Sequence, residues 1–147
     1  MSKQTRDLDI VLYGATGFTG RLVAEYLAAA DIDGVMIGLA GRSLDKVTAV
    51  RDGLGAVAAD WPVIVADADD ADSLAEMAER TRVLITTVGP YALYGLPVVQ
   101  ACASTGTHYV DLTGEVLFMR DSVASYDAMA AASGARIVHS CGFDSIP

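Results

Sequence analysis

Basic residues are scarce in this 147-residue chain: Lys and Arg number 10 against 19 Asp and Glu, a formal net charge of −9. An isoelectric point near 4.4 excludes a surface that tracks nucleic acid or anionic lipid by bulk attraction, although single basic residues can still hold an anion. Cysteine is scarcer still. Cys102 and Cys141 are too few and too far apart for a disulfide framework, and the isolated His108 and His139 give no metal-ligand spacing. The opening Met1-Ser-Lys-Gln-Thr-Arg-Asp lacks the apolar stretch of a signal peptide. No run of about 18 apolar residues marks a membrane span either. A soluble, reducing, cytoplasmic protein is expected. Aromatic residues are few at 7%, and alanine supplies much of the 52% hydrophobic content. That composition excludes disorder and favours closely packed helices over an aromatic-rich sandwich.

What is present is an alternation of strands and helices sized for one domain. Residues 8–13 (LDIVLY) form a short apolar run ending at glycine, the pattern of a buried parallel strand. Residues 17–30 switch to helical spacing, with Leu22, Val23, Tyr26 and Leu27 on one face. Further strands are expected at 35–40, 61–66, 83–88, 108–112 and 136–140. Helices fit between them: one capped by Ser43 or Asp45 and running to about residue 54, then 70–80, 96–105 and 118–133. Pro97 is tolerable only in a helix's first turn. Short connections in this series predict an α/β doubly wound parallel sheet, a Rossmann domain of strand order 3-2-1-4-5-6. Residues 1–141 would be that domain. Residues 142–147, leaving the last strand through Gly142-Phe-Asp-Ser-Ile-Pro147, would begin a crossover to a second domain, with Asp144 and Ser145 at the junction, so the chain reads as truncated.

Gly14-Ala15-Thr16-Gly17-Phe18-Thr19-Gly20 follows the first strand and opens the first helix. In that context Gly14 suits a tight turn, Gly17 admits a pyrophosphate against the backbone, and Gly20 permits close packing. The helix N-terminus offers unpaired N–H groups to phosphates. No GK[ST] follows, so the loop is not a Walker A. After the second strand, where NAD sites carry an acid for the ribose 2′-OH, the chain reads Gly41-Arg42-Ser43. A guanidinium there can fork onto a 2′-phosphate with help from Ser43, and no carboxylate repels it, so NADP (NADPH) is the expected cofactor. Asp67, after the third strand, either accepts from the adenine amino group or starts an acidic cap. Gly89 and Pro90, after the fourth, are placed to border the ribose or nicotinamide, or to reverse the chain.

No catalytic residue is assigned. Tyr91 and Tyr94 read as packing residues, and no lysine follows a tyrosine at the spacing short-chain reductases use. Asp111, Thr113 and Glu115 follow the fifth strand: Asp111 or Thr113 would cap the next helix with Glu115 in its first turn, or the carboxylates would assist acid–base work under a closing domain. His108 and His139 read as structural, Cys102 as core filler, and Cys141 lacks a neighbouring base.

These pieces, Tyr13-Gly-Ala-Thr-Gly-Phe-Thr-Gly20, Ala40-Gly-Arg-Ser43, Val88-Gly-Pro-Tyr91, Tyr109-Val-Asp-Leu-Thr-Gly-Glu115 and Gly142-Phe-Asp-Ser-Ile-Pro147, run nearly the whole chain in order. The sequence thereby resembles the N-terminal NADP-binding domain of the saccharopine dehydrogenase/reductase-like family, within it most nearly the trans-acting enoyl reductases. The resemblance implies Gly14, Thr16, Gly17, Phe18 and Thr19 at the phosphates, Arg42 and Ser43 at the adenosine end, and Gly89 and Pro90 near the nicotinamide ribose. It also implies a following α+β domain that binds substrate and mediates dimerisation. A carrier-bound acyl or small-molecule substrate, reduced in partnership with a polyketide synthase, would follow, and a lipid substrate would draw the longer protein to a membrane surface. A saccharopine-type imine reductase and a non-catalytic NADP sensor are the alternatives.

Overall fold

The computed structural model describes residues 6–143, so Asp144, Ser145 and the rest of the final motif lie outside it. Six strands, β1 (Leu8–Tyr13), β2 (Ile37–Gly41), β3 (Val63–Val65), β4 (Thr81–Thr86), β5 (His108–Asp111) and β6 (Ile137–Val138), form one sheet in the order β3-β2-β1-β4-β5-β6. Every pairing is parallel. Five helices connect them: α1 (Phe18–Ala30), α2 (Leu44–Gly53), α3 (Ala71–Arg80), α4 (Tyr91–Thr105) and α5 (Val116–Ser133). The expected doubly wound order is the one found, and the strand order reverses between β1 and β4.

Alternation along the strands sorts the core into two layers. Val11, Ala40, Ile64, Leu84 and Tyr109 face Leu74 and Met77 of α3, Val98 and Cys102 of α4 and Phe118 of α5. Leu12, Leu39, Val63 and Ile85 face Ala24 of α1 and Val47 of α2. This second layer stops at β4. Beyond it Leu112 and Val138 are exposed, the latter at 48%, and Phe143 stands out at 94%. The Arg6 guanidinium closes the opposite end of the sheet, donating to the carbonyls of Ala78 and Thr105, which end α3 and α4, and to the Thr107 hydroxyl. It also reaches the Thr81 carbonyl, the first residue of β4.

Strand and helix bounds shift by a few residues throughout, and three of the departures have specific physical reasons. The buried face of α1 is Gly20, Ala24, Leu27 and Ala28, leaving Leu22 half-exposed and Tyr26 73% exposed. Gly20 sets that rotation, because a Cβ there would overlap the Gly14 carbonyl oxygen. Second, α4 begins at Tyr91, five residues early, so Pro97 lies past the first turn. The Leu93 carbonyl that a non-proline at 97 would bond sits on an exposed residue, where water can satisfy it. Third, β4 runs over Thr81–Thr86: the Thr87 amide still donates to the Tyr13 carbonyl of β1, but the Val88 amide turns back to the Thr86 hydroxyl rather than to a neighbouring strand. Among the described residues no helix is long and apolar enough to cross a membrane.

Candidate functional site

A cleft of about 270 Å³ opens at the carboxyl ends of β1 to β4, across the reversal of strand order. Tyr13, Gly14, Thr16 and Gly17 form its floor, Arg42 and Asp67 one wall, and Val88, Gly89 and Tyr94 the other. Gly14 holds φ +93°, and a side chain there would press on Thr87 and Val88. The Thr87 hydroxyl donates to the Gly14 carbonyl at 3.2 Å, tying the loop to the end of β4. Gly17 is exposed, and its own amide donates to the Gly14 carbonyl at 3.1 Å.

The next three amides, of Phe18, Thr19 and Gly20, find no acceptor among the described residues, and Gly17 provides no side-chain cap. No acidic residue occupies the first turn of α1. Three other helices are closed. Ser43 accepts from the Lys46 amide at α2, and Asp70 accepts from the Asp72 and Ser73 amides at α3. At α4 the Glu115 carboxylate accepts from the Tyr91 and Ala92 amides, each at 2.8 Å. The start of α1 therefore keeps its donors and its positive dipole end for an anion in the cleft.

The remaining expected residues are distributed around this cleft. Ala15 is buried, and its amide donates to the Ala40 carbonyl at 3.2 Å, so its contribution is shape. Phe18, 84% exposed, and Thr19 stand on the first turn of α1, while Gly20 is buried beneath it. Ser43 caps α2 with a lone pair, which leaves its hydroxyl hydrogen free to donate beside Arg42. Arg42 is exposed and makes no ion pair among the described residues. One oxygen of Asp67 accepts from the Asp69 amide at 3.0 Å. The cap of α3 is Asp70, not Asp67. Pro90 follows a cis peptide from Gly89 and immediately precedes α4.

The loop after β5 is built differently from the expectation of a local cap. Asp111 is buried at the strand end, and the residue flanking α5 is Glu115, whose side chain turns away to α4. Asp111 Oδ2 accepts from the Tyr109 hydroxyl at 2.7 Å and lies 2.6 Å from His139 Nδ1, while Oδ1 accepts from the Thr113 and Ser140 amides. Burial pushes the Asp111 carboxyl up, but these hydrogen bonds, led by His139 and Tyr109, outweigh it and hold it below the ordinary carboxylate range. His139 Nε2 meets the buried Ser122 hydroxyl at 2.9 Å, so the histidine is fully engaged within the core. Neither this aspartate nor this histidine reaches the cleft.

The tyrosines divide. Tyr91 is buried, stacks on Phe118 and donates to the Thr86 carbonyl at 2.9 Å, and burial pushes its hydroxyl up to about 12. Tyr94 is half-buried and lines the cleft, a placement the packing expectation missed. Burial pushes the Cys102 thiol up, as suits a core residue, and the Cys141 thiol is raised by burial and the nearby Asp111 charge. Among the described residues no cluster of His, Cys, Asp or Glu is arranged to hold a metal ion.

Known proteins share this fold, and others share this sequence. A saccharopine dehydrogenase (L-Glu forming) from Saccharomyces cerevisiae superposes with TM-score 0.75 at 21% identity, covering 94% of this chain and 28% of that one. A Citrobacter sp. triphenylmethane reductase complexed with NADP(H) gives 0.65 at 17% identity, covering 89% and 48%. At such identities they show the fold alone. By sequence, a Mycobacterium tuberculosis protein is 58% identical over all 147 residues. Trans-acting enoyl reductases of Mycobacterium ulcerans and Mycobacterium leprae are each 56% identical over the same span. The chain spans 35% of the length of each of these relatives. The family model for the saccharopine dehydrogenase NADP binding domain matches residues 10–138, and the chain belongs to that family.

Proposed function

We propose that this chain is the cofactor-binding part of an NADPH-dependent enoyl reductase that acts in trans on acyl intermediates of a polyketide synthase during lipid assembly. The observation that carries the cofactor half is the uncapped start of α1 in a cleft where the end of β2 presents Gly41-Arg42-Ser43 with no acid of its own, Asp67 and Asp69 coming from the loop after β3. The substrate half rests on the names of relatives 56% identical over the full chain. NADPH supplies the hydride when bound, and the protein orients it and excludes water.

In this reading the Phe18, Thr19 and Gly20 amides hold the diphosphate, with Gly14, Thr16 and Gly17 shaping its seat. Arg42 forks onto the 2′-phosphate and Ser43 donates beside it. The free oxygen of Asp67 accepts from the adenine amino group. Gly89 and Pro90 border the nicotinamide ribose. Residues 1–141 form the nucleotide domain, and from 142 the chain crosses into a second domain that binds substrate and dimerises. The exposed sheet face at Leu112, Val138 and Phe143 is the surface such a domain would cover, and the greater length of the relatives is consistent with one.

Joining this chain to the remaining two-thirds of the Mycobacterium leprae relative tests the proposal. The fusion is expected to oxidise NADPH with a 2-enoyl thioester, and the 147-residue chain alone to bind NADPH and turn over little. Turnover of an imine in place of the enoyl thioester would make it a saccharopine-type reductase. Tight NADPH binding with neither substrate reduced would make it a sensor.

A further inference from the structure

We infer that Glu115 is a positioning residue for the nicotinamide end of the cofactor, acting through the first turn of α4; this rests on the NADP reading above. Its carboxylate is the only side-chain group among the described residues that accepts from the amides opening α4, taking both Tyr91 and Ala92 at 2.8 Å from 24 and 23 residues away. That turn carries the far wall of the cleft, with Gly89 just before it and Tyr94 within it. The carboxylate arrives already set. The Glu115 amide donates to the Thr113 hydroxyl at 3.1 Å, and the Thr113 amide donates to the buried Asp111 at 3.1 Å. An unbroken chain of hydrogen bonds thus runs from the end of β5 through Glu115 to the cleft wall.

Two consequences follow. A helix start left open beside α1 would offer a second anion seat, and a diphosphate could lodge at either. Glu115 fills the one at α4, which leaves α1 as the phosphate seat and α4 as a wall without free donors. The wall is also fixed in place, because two charge-assisted bonds hold the turn that a single proline N-cap leaves unsupported. Arg42 and Asp67, which would take the 2′-phosphate and the adenine, lie at the wall opposite the turn that Glu115 holds.

The test is a comparison of two ligands on the 147-residue chain: NADPH, which spans the cleft, and 2′,5′-ADP, which carries only the adenosine end. For Glu115→Ala, NADPH affinity is expected to fall about tenfold with 2′,5′-ADP affinity unchanged, and the fluorescence of the bound nicotinamide to shift toward that of free NADPH. Glu115→Gln keeps one acceptor oxygen and is expected to recover part of the NADPH affinity. Equal losses for both ligands, or no loss for either, would overturn the inference. If Glu115→Ala does not fold, Glu115→Gln carries the test by the same criterion, an NADPH-only loss supporting the inference and equal effects refuting it. A wild-type chain that binds neither ligand would overturn the NADP reading and this inference together, an outcome distinct from a wild type that binds both and a variant that shows no split.

Discussion

The two halves of the sheet solve the same problem, fixing a loop at a strand's carboxyl end, by different means. At β1 the loop is held by backbone approaches that only glycine allows: Gly17 and Gly20 close on the Gly14 carbonyl, and Gly14 itself closes on Thr87 and Val88. At β4 and β5 the loops are held from afar. Glu115 reaches the start of α4 across 24 residues, and Asp111 gathers His139 and Ser140 across 28 and 29. A loop built on glycine contacts fails sterically when altered, whereas one built on side-chain bonds fails by leaving buried donors unpaired. Substitutions in each half therefore differ in kind as well as in size.

Gly20→Ala is expected to have the largest effect. Its methyl would overlap the Gly14 carbonyl, so α1 must shift off the loop. A loss of about 3 kcal/mol in denaturant unfolding should accompany loss of NADPH binding in titration. An unchanged midpoint would show that the helix start is looser than its contacts imply.

Asp111→Asn breaks the other half. The amide cannot accept from all four partners, and about 2 kcal/mol of stability should be lost. The acid response sharpens the contrast. The Asp111 carboxyl titrates lower when folded than when unfolded, so its stabilisation is complete above about pH 4 and disappears as pH falls through the folded value. Melting temperatures measured down the acid range should show that component in the wild type and not in the variant.

How much of this was legible in the sequence follows the same division. β1 falls on residues 8–13 as read, and the order of all six strands follows from alternation and short connections, since both are local signals. The glycine loop is legible for the same reason. The face of α1 was legible in part: Val23 and Leu27 pack inward as read, while Leu22 and Tyr26 do not, because the steric demand at Gly20 set the rotation. The early start of α4 and the turn of Glu115 away from α5 depend on a contact that only the folded chain brings together. Tyr94 shared its local composition with Tyr91, and nothing in the sequence separated the cleft-lining ring from the buried one.

Arg42→Ala comes next in size. The side chain is exposed and unpaired among the described residues, so stability should hold while NADPH affinity drops about tenfold toward that for NADH. A matching loss for NADH would place Arg42 at the diphosphate instead. Tyr91→Phe is expected to be the mildest. It removes one buried hydrogen bond to the Thr86 carbonyl and keeps the ring on Phe118. About 1 kcal/mol should be lost on unfolding, with NADPH binding nearly intact. A large binding defect would give the hydroxyl a role in the cleft.

Calorimetric titration of the 147-residue chain with NADPH and, separately, with NADH decides whether the cleft is built for a 2′-phosphate. With an open α1 terminus and Arg42 where NAD sites carry an acid, NADPH should bind at least about tenfold more tightly than NADH. Equal affinities, or tighter NADH, would contradict the assignment of the β2 wall to a 2′-phosphate.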